Sequence, residues 1–367
     1  MPETSPLIGV AVDDLDTPAL LVDLDRFEAN VAHLAGYCRD HGVAWRPHSK
    51  CHKSPEIAAV ERAAGAIGVT CAKLSEAQIM IDHGIDEVLL ANQVISHSKL
   101  RRLSRLQERG RVIGIADAEE AVRAASAAGV ETGLPIPLLV DVDIGMHRTG
   151  VPPEAALPLA RRIADAPGTR LLGVMGYEGH VLDEHPPEVK ERACHEALAH
   201  LGRVREELVA DGLPCEIVSA GGTGSYALTA AWEGVTEIQA GGGIFMDAMY
   251  REKCHVGEEL GYALTVLAGV TGHHDGHIVL DSGFKTLSAF HYPPRALGRD
   301  DLEFRYLSAE HGVFDIRSGH EGPALGERIH LLPGYGDSTT VLHDAFLGVR
   351  HGRVECQWGI LGRGALT

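Results

Sequence analysis

The chain has 367 residues, 45% of them hydrophobic, with 33 basic against 51 acidic side chains and a formal net charge of −18. That length buries two domains' worth of core, or one large barrel with an appendage, with no need of staples, while the acidic balance excludes a nucleic-acid partner, which requires clustered Lys and Arg. No apolar run reaches about 18 residues, and Met1 to Asp14 has neither a basic start nor an apolar stretch, so the expectation is a soluble cytoplasmic protein with no membrane partner.

In chain order, short apolar, β-branched runs recur between stretches rich in Ala, Leu, Glu and Arg. The runs are Val43 to Pro47, Ala66 to Cys71, Glu87 to Ala91, Val112 to Ala116, Ile136 to Val142, Leu171 to Tyr177, Glu216 to Ala220 and Thr236 to Ala240. Between them lie Ser54 to Ala64, Ser98 to Glu108, Ala118 to Ala128, Pro153 to Ala166 and Pro187 to Ala210, with apolar residues three and four apart. Eight such alternations read as a (β/α)8 TIM barrel over 16–262, with an open doubly wound sheet as the alternative. After about Leu260 the texture turns to short strands broken by Gly and Asp: Leu264 to Val270, His277 to Leu280, Arg328 to Leu332 and Val354 to Trp358. This reads as a mostly-β domain over 263–367, to which a strand from 1–15 or 17–24 is able to add. Phe290 to Glu303 reads as a loop.

Seven scattered cysteines without a C-x-x-C pair fit reduced thiols, and 21 histidines without H-E-x-x-H say nothing about metal. The chemistry of a barrel sits just after its strands, and there the chain is rich in reactive groups. The first strand runs into Arg46-Pro47-His48-Ser49-Lys50-Cys51-His52-Lys53 and the fifth into Asp141 through Gly150, which includes His147 and Arg148. The sixth runs into Tyr177-Glu178-Gly179-His180, the seventh into Gly221-Gly222-Thr223-Gly224-Ser225 and the eighth into Gly241-Gly242-Gly243.

The two glycine-rich turns follow the strands whose loops most often hold phosphate in this fold, and Thr223 and Ser225 add hydroxyl donors ahead of a helix start. Lys50, flanked by His48, His52 and Arg46, sits where neighbouring charge and burial depress an amine's pKa and make it a nucleophile toward carbonyls. Arg148 has a fork suited to a phenolate or carboxylate oxygen. A lysine, an anion cup and the Tyr177 ring together describe a pyridoxal phosphate pocket.

These residues, with Thr17-Pro18-Ala19-Leu20, Ser219-Ala220, Asp281-Ser282-Gly283, Glu310-His311-Gly312 and Trp358 to Gly364, make the chain resemble the D-threonine aldolase and D-serine dehydratase family. These are fold-type III pyridoxal 5'-phosphate enzymes related to the N-terminal barrel of alanine racemase. The resemblance implies a Schiff-base lysine at Lys50, with Lys53 its rival, and Arg148 bonding the cofactor's 3-oxygen. It also implies Tyr177 near the ring, and Gly222, Thr223, Gly224, Gly241 and Gly242 on the phosphate. It further implies a homodimer acting on a small amino-acid substrate.

The family commonly carries Pro-x-His-x-Cys or Pro-x-His-x-Asp, whose last two side chains hold a divalent metal. Here the segment is Pro333-Gly334-Tyr335-Gly336-Asp337. Tyr335 replaces the imidazole with a phenol of pKa near 10, so a metal on Tyr335 and Asp337 is expected to be weakly held, as Mg or Mn rather than Zn. His343 and Asp344 are the alternates. A second departure is Gly243, where a larger residue is usual.

The activity implied is cleavage of β-hydroxy D-amino acids. The aldolase form gives glycine and an aldehyde, and Asp337 in place of Cys favours it. The dehydratase form, on D-serine or 3-hydroxy-D-aspartate, gives an oxo acid and ammonia. His180, His311 and Tyr335 are the candidate acid–base groups beside Lys50. A racemase, a noncatalytic pyridoxal phosphate carrier and a lysine-dependent sugar-phosphate aldolase are the rivals.

Overall fold

The structure is a computed structural model describing residues 5–367. The chain enters through β1 (Ala19–Asp23) and runs without a turn into α1 (Leu24–Asp40). The alternation then follows as β2 (Ala44–Trp45), α2 (Pro55–Ala63), β3 (Val69–Cys71), α3 (Leu74–Asp82), β4 (Glu87–Leu90) and α4 (His97–Leu106). It continues as β5 (Arg111–Ala116), α5 (Glu119–Thr132), β6 (Ile136–Asp141), α6 (Pro153–Asp165), β7 (Thr169–Met175) and α7 (Pro187–Ala210). Last come β8 (Ile217–Ala220), α8 (Tyr226–Ala230) and β9 (Glu237–Ile238).

Local chemistry sets the helix ends. Pro55 starts α2 where its missing N–H costs nothing, and Gly133 ends α5 at φ +74. The Glu76 carboxylate in α3 accepts the N–H groups of Ala72 and Lys73 at 2.9 and 3.2 Å.

The strands from β2 to β9 are all parallel, in the order β2-β9-β8-β7-β6-β5-β4-β3. A parallel bridge between His48 and Thr70 joins β2 to β3, with Thr70 N–H donating to the Pro47 carbonyl at 2.8 Å, so the ring closes. The (β/α)8 reading therefore holds over the open sheet. Continuous burial of β5 and β6 is what a parallel sheet covered on both faces requires. Leu89, Ile113, Ile115, Leu139, Leu172, Met175 and Ile217 form one buried cluster drawn from β4 to β8.

Two compact units result: Leu34–Gly241 with Ala365–Thr367, and the chain up to His33 with Gly242–Gly364. In the second, a π-helical turn (Met249–Lys253) precedes β10 (Leu264–His274), β11 (His277–Leu280), β12 (Arg295–Ala296), β13 (Leu302–Leu307) and β14 (Gly312–Ile316). Then come β15 (Arg328–Leu332), α9 (Gly336–Thr340), β16 (Ala345–Arg350) and β17 (Arg353–Gly359). The sheet order is β13-β14-β11-β10-β1-β16-β17, with β15 on β10 and β12 on β15. The leading strand β1 lies antiparallel to β10 and parallel to β16.

Phe290 to Glu303 is irregular except that Arg295–Ala296 pairs with β15 and Leu302 already opens β13. The β13 sequence LEFRYL buries only Leu302 and leaves Glu303, Arg305 and Tyr306 exposed, as an edge strand does, which is why it lacks an apolar run.

Candidate active site

At the end of β2 the backbone makes a 3-10 turn over Ser49–Cys51, and the side chains on either side of Lys50 are tied into the scaffold. The Ser49 hydroxyl donates to the Thr70 carbonyl at 3.0 Å. His52 accepts the Ser54 N–H at Nδ1, which places its proton on Nε2, 3.4 Å from Glu61, and both residues are fully buried. Lys53, at φ +50, is ion-paired with the buried Glu76. Its amine is thus a structural cation, and Lys50 is the half-buried lysine of the turn.

Two expectations about the surroundings of Lys50 are corrected here. Arg46 does not bear on it: the guanidinium is 2% exposed and held by Glu237 at 3.0 Å, with Glu87 at 3.7 Å. His52 is likewise turned toward Glu61. His48 is the neighbour that matters. Its ring is held well below the usual histidine range by burial first, then by electrostatic interaction with Lys50, Lys53, His52 and Arg148. It is therefore a neutral imidazole whose Nδ1 faces the Lys50 N–H at 3.3 Å.

Contacts lead from this turn around the mouth. Gly241, after β9, lies so close to β2 that a Cβ there would stand 2.3 Å from the His48 carbonyl oxygen. Arg148, exposed on the segment after β6, has its guanidinium carbon 5.5 Å from the centre of the Tyr177 ring. Tyr177 in turn lies against Gly222, where a Cβ would come within 3.0 Å of the ring. His180, in the short turn Gly179–Val181, packs on Gly145, where a Cβ would meet Nε2 at 2.6 Å.

The glycine turn after β8 is held by a residue to which sequence reasoning gave no role. Glu178 is fully buried and accepts the hydroxyls of Ser225 at 2.6 Å and Thr229 at 2.5 Å, and the Gly221 N–H at 3.3 Å. This corrects Ser225: its one hydroxyl hydrogen goes to Glu178 while its oxygen accepts the Gly222 N–H at 3.2 Å, so it shapes the turn rather than offering a donor to an anion. Thr223 and Gly224 are buried in that turn. The helix after it, α8, spans only Tyr226–Ala230. Gly242 and Gly243 open the other unit's chain, and the Tyr250 ring packs on Gly242, leaving 2.6 Å for a Cβ.

Also without an assigned role is Asp141, the last residue of β6. It is 4% exposed, and its carboxyl is raised to about 6 by burial and the charge of Asp117, against hydrogen bonds from Thr149 and Gln93. The unfolded chain ionises near 3.8 and the folded chain near 6. Stability from this group is thus whole at low pH, falls between those values and is lost above about 6 by roughly 1–3 kcal/mol. Asp141→Asn is expected to gain stability over the parent as pH rises from 5 to 8. Urea denaturation at both values checks this, and parallel profiles would contradict it.

On the β-rich unit, Tyr335 donates its hydroxyl to Asp337 Oδ2 at 2.7 Å. Its ring meets His291 and Tyr250 edge-on, at 5.2 and 6.3 Å between centres. The Asp247 carboxylate fixes this corner by accepting the N–H groups of Gly336 and Tyr250 at 2.8 and 2.9 Å. His343 turns Nε2 to the Thr286 carbonyl at 2.8 Å, and exposed Asp344 pairs with Arg363. Neither compensates at Asp337. His311 is exposed in the turn from β13 to β14. Among the described residues no group of three or more His, Cys, Asp or Glu converges as for a metal.

The mouth of the barrel unit thus holds an amine, a guanidinium, an aromatic face and a turn kept open because its glycines have no side chains. That donor set fits pyridoxal phosphate: Lys50 for the aldehyde, Arg148 for the ring oxygen, and the 221–225 turn for the phosphate.

Comparison with known proteins agrees. Residues 22–249 match the alanine racemase N-terminal domain family and 263–349 the serine dehydratase domain family. The chain is 36% identical over 353 residues to a D-threonine aldolase of an Arthrobacter species, covering 95% of this chain and 93% of that one. It is 34% identical over 369 residues to a 3-hydroxy-D-aspartate aldolase of Paracoccus denitrificans, covering 98% and 95%. The crystal structure of D-threonine aldolase from Filomicrobium marinum superposes with a TM-score of 0.95 at 35% identity, covering 98% and 99%. An amine-bearing barrel mouth joined in sequence to a dehydratase-type β domain, matched over nearly the full length of these enzymes, places the chain in the alanine racemase-like, fold-type III family of pyridoxal phosphate enzymes that includes the D-threonine aldolases.

Proposed function

We propose that the protein cleaves β-hydroxy D-amino acids by a retro-aldol reaction, releasing glycine and an aldehyde. The observation that carries the reading is the Lys50 turn, where the charges of Lys50 and Arg148 both bear on the His48 ring and the Arg148 guanidinium lies over Tyr177. Near-full-length similarity to two aldolases supports the bond chosen.

When bound, pyridoxal phosphate supplies an electron sink for the pair left at Cα as the bond to Cβ breaks. Lys50 would hold the cofactor through its aldehyde until a substrate amine takes its place. The freed amine, beside neutral His48, then carries a proton to Cα. Arg148 would hold the ring oxygen. The glycine turn, braced by Glu178, would hold the phosphate. His180, packed on the segment that carries Arg148, is the barrel unit's group for taking the β-hydroxyl proton.

No step is assigned to a metal. A phenol that donates to Asp337 keeps its proton, and a protonated phenol is a poor metal ligand. The cleavage rate is expected to stay within about twofold after exhaustive chelation and after adding Mg, Mn or Zn, because loss of a working Lewis acid costs several kcal/mol. A rate that collapses with chelator and returns with metal would restore the ion.

The deciding assay offers D-threonine and D-serine in turn. Glycine plus acetaldehyde supports the aldolase, whereas oxo acid plus ammonia moves the chain to the dehydratase chemistry suggested by its 263–349 match.

A further inference from the structure

Gln93 beyond β4, Asp117 beyond β5 and Asp141 at the end of β6 take no part in the chemistry above, yet they are joined across three neighbouring strands of the barrel unit. The Gln93 carboxamide spans the two acids, its Nε2 donating to Asp141 Oδ2 at 2.7 Å and to Asp117 Oδ2 at 3.0 Å. A primary amide nitrogen carries two hydrogens, so each acid receives one. Without that donor, two carboxyl groups would face each other across the mouth with their repulsion unrelieved.

Both acids also hold the same segment, residues 143–150. Asp117 Oδ2 accepts the Gly150 N–H at 3.2 Å, and the Thr149 hydroxyl bonds to the Asp141 carboxyl. The segment's base is closed by Val151 N–H on the Asp141 carbonyl at 2.9 Å and Asp143 N–H on the Val151 carbonyl at 2.8 Å. Inside it, Asp143 accepts the N–H groups of Gly145 and His147, both at 3.0 Å, and the His147 ring at 2.8 Å. Arg148 sits between these two clamps. Its side chain is exposed, so what fixes the guanidinium over Tyr177 is the placing of its backbone together with the field of nearby Asp141. A long side chain held only at its tip would lose much more rotamer freedom on binding.

We infer that Gln93, Asp117 and Asp141 are positioning residues whose bridge sets the 143–150 segment and, through it, the reach of the Arg148 guanidinium to the anionic ring oxygen of the cofactor. The inference rests on the pyridoxal phosphate reading above and deepens it.

A double-mutant cycle on pyridoxal phosphate binding tests it, with Gln93→Met, Arg148→Ala and the pair. Gln93→Met keeps the length of the side chain and removes both donors. Each single change is expected to weaken binding about tenfold, the worth of one charge-assisted hydrogen bond. The pair is expected to bind within about twofold of the weaker single, because Gln93 acts only through Arg148. Hydrogen exchange of the cofactor-free protein gives a second readout: the amides of Gly145, His147 and Gly150 are expected to exchange faster in Gln93→Met than in the parent. Factors that multiply to about a hundredfold, or exchange that is unchanged, would overturn the inference while leaving the cofactor reading intact. A parent protein that binds no pyridoxal phosphate would overturn that reading and this one with it. Should Gln93→Met not fold, Asp117→Asn in the same cycle carries the test.

Discussion

Lys50→Ala is expected to lower the cleavage rate by about 10³-fold or more, because it removes both the covalent hold on the cofactor and the amine that carries a proton to Cα. Borohydride treatment of the cofactor-loaded parent is expected to fix the label on the peptide bearing Lys50, and on none in the alanine variant. Lys53, three residues on, makes a sharp control. Its amine is engaged with Glu76, which is fully buried and whose Oε1 has, among the described residues, no hydrogen-bond partner besides that ion pair. Lys53→Ala leaves a carboxylate uncompensated in the interior, so about 3–5 kcal/mol of stability should go, with partial unfolding rather than an inactive, well-folded enzyme. Finding the reduced label on Lys53 in the parent would reverse the two roles and dismantle the pocket as described.

How far the sequence foretells this arrangement depends on the range of the interaction. Strands of the barrel are legible because burial on both faces forces continuous apolar, β-branched runs such as Ile136–Asp141, and the closing glycines because a Cβ on Gly241 would stand 2.3 Å from the His48 carbonyl oxygen. Lys50, Arg148 and Tyr177 are legible as chemical types placed after strands. The polar network that fixes them is not, since its partners are far apart in the chain. Arg46 meets Glu237 across 191 positions, and Glu178 meets Ser225 across 47. Ser225 reads as a spare hydroxyl until its one hydrogen is found on Glu178. Arg46 reads as a charge on Lys50 until Glu237 and Glu87 are found beside it. A usable signal did exist. Asp141 and Glu178 both stand where parallel strands end, and an acid in that position must either act or be hydrogen-bonded, because burying an unpaired carboxylate there is prohibitive.

Glu178 therefore carries the second large effect. Its carboxylate gathers the Ser225 hydroxyl and the Gly221 N–H from the turn between β8 and α8 and the Thr229 hydroxyl from α8, and is wholly shielded from water. It also raises the neighbouring Cys194 thiol, already pushed up by burial, to about 12, so that this cysteine stays inert. Glu178→Ala strands all three donors beside a cavity, and a loss on the order of 3–5 kcal/mol in stability is expected. Glu178→Gln is the finer probe. The amide oxygen still accepts the hydroxyls, but its NH2 now confronts the Gly221 N–H, donor against donor, and the turn has to open. If that turn seats the phosphate, the Gln variant binds pyridoxal phosphate about 10- to 100-fold more weakly, while its affinity for unphosphorylated pyridoxal hardly moves, since the amine and ring contacts lie elsewhere. Equal losses for the two ligands would mean that Glu178 supports the mouth as a whole, and the phosphate would then have to be held by other backbone than the 221–225 turn.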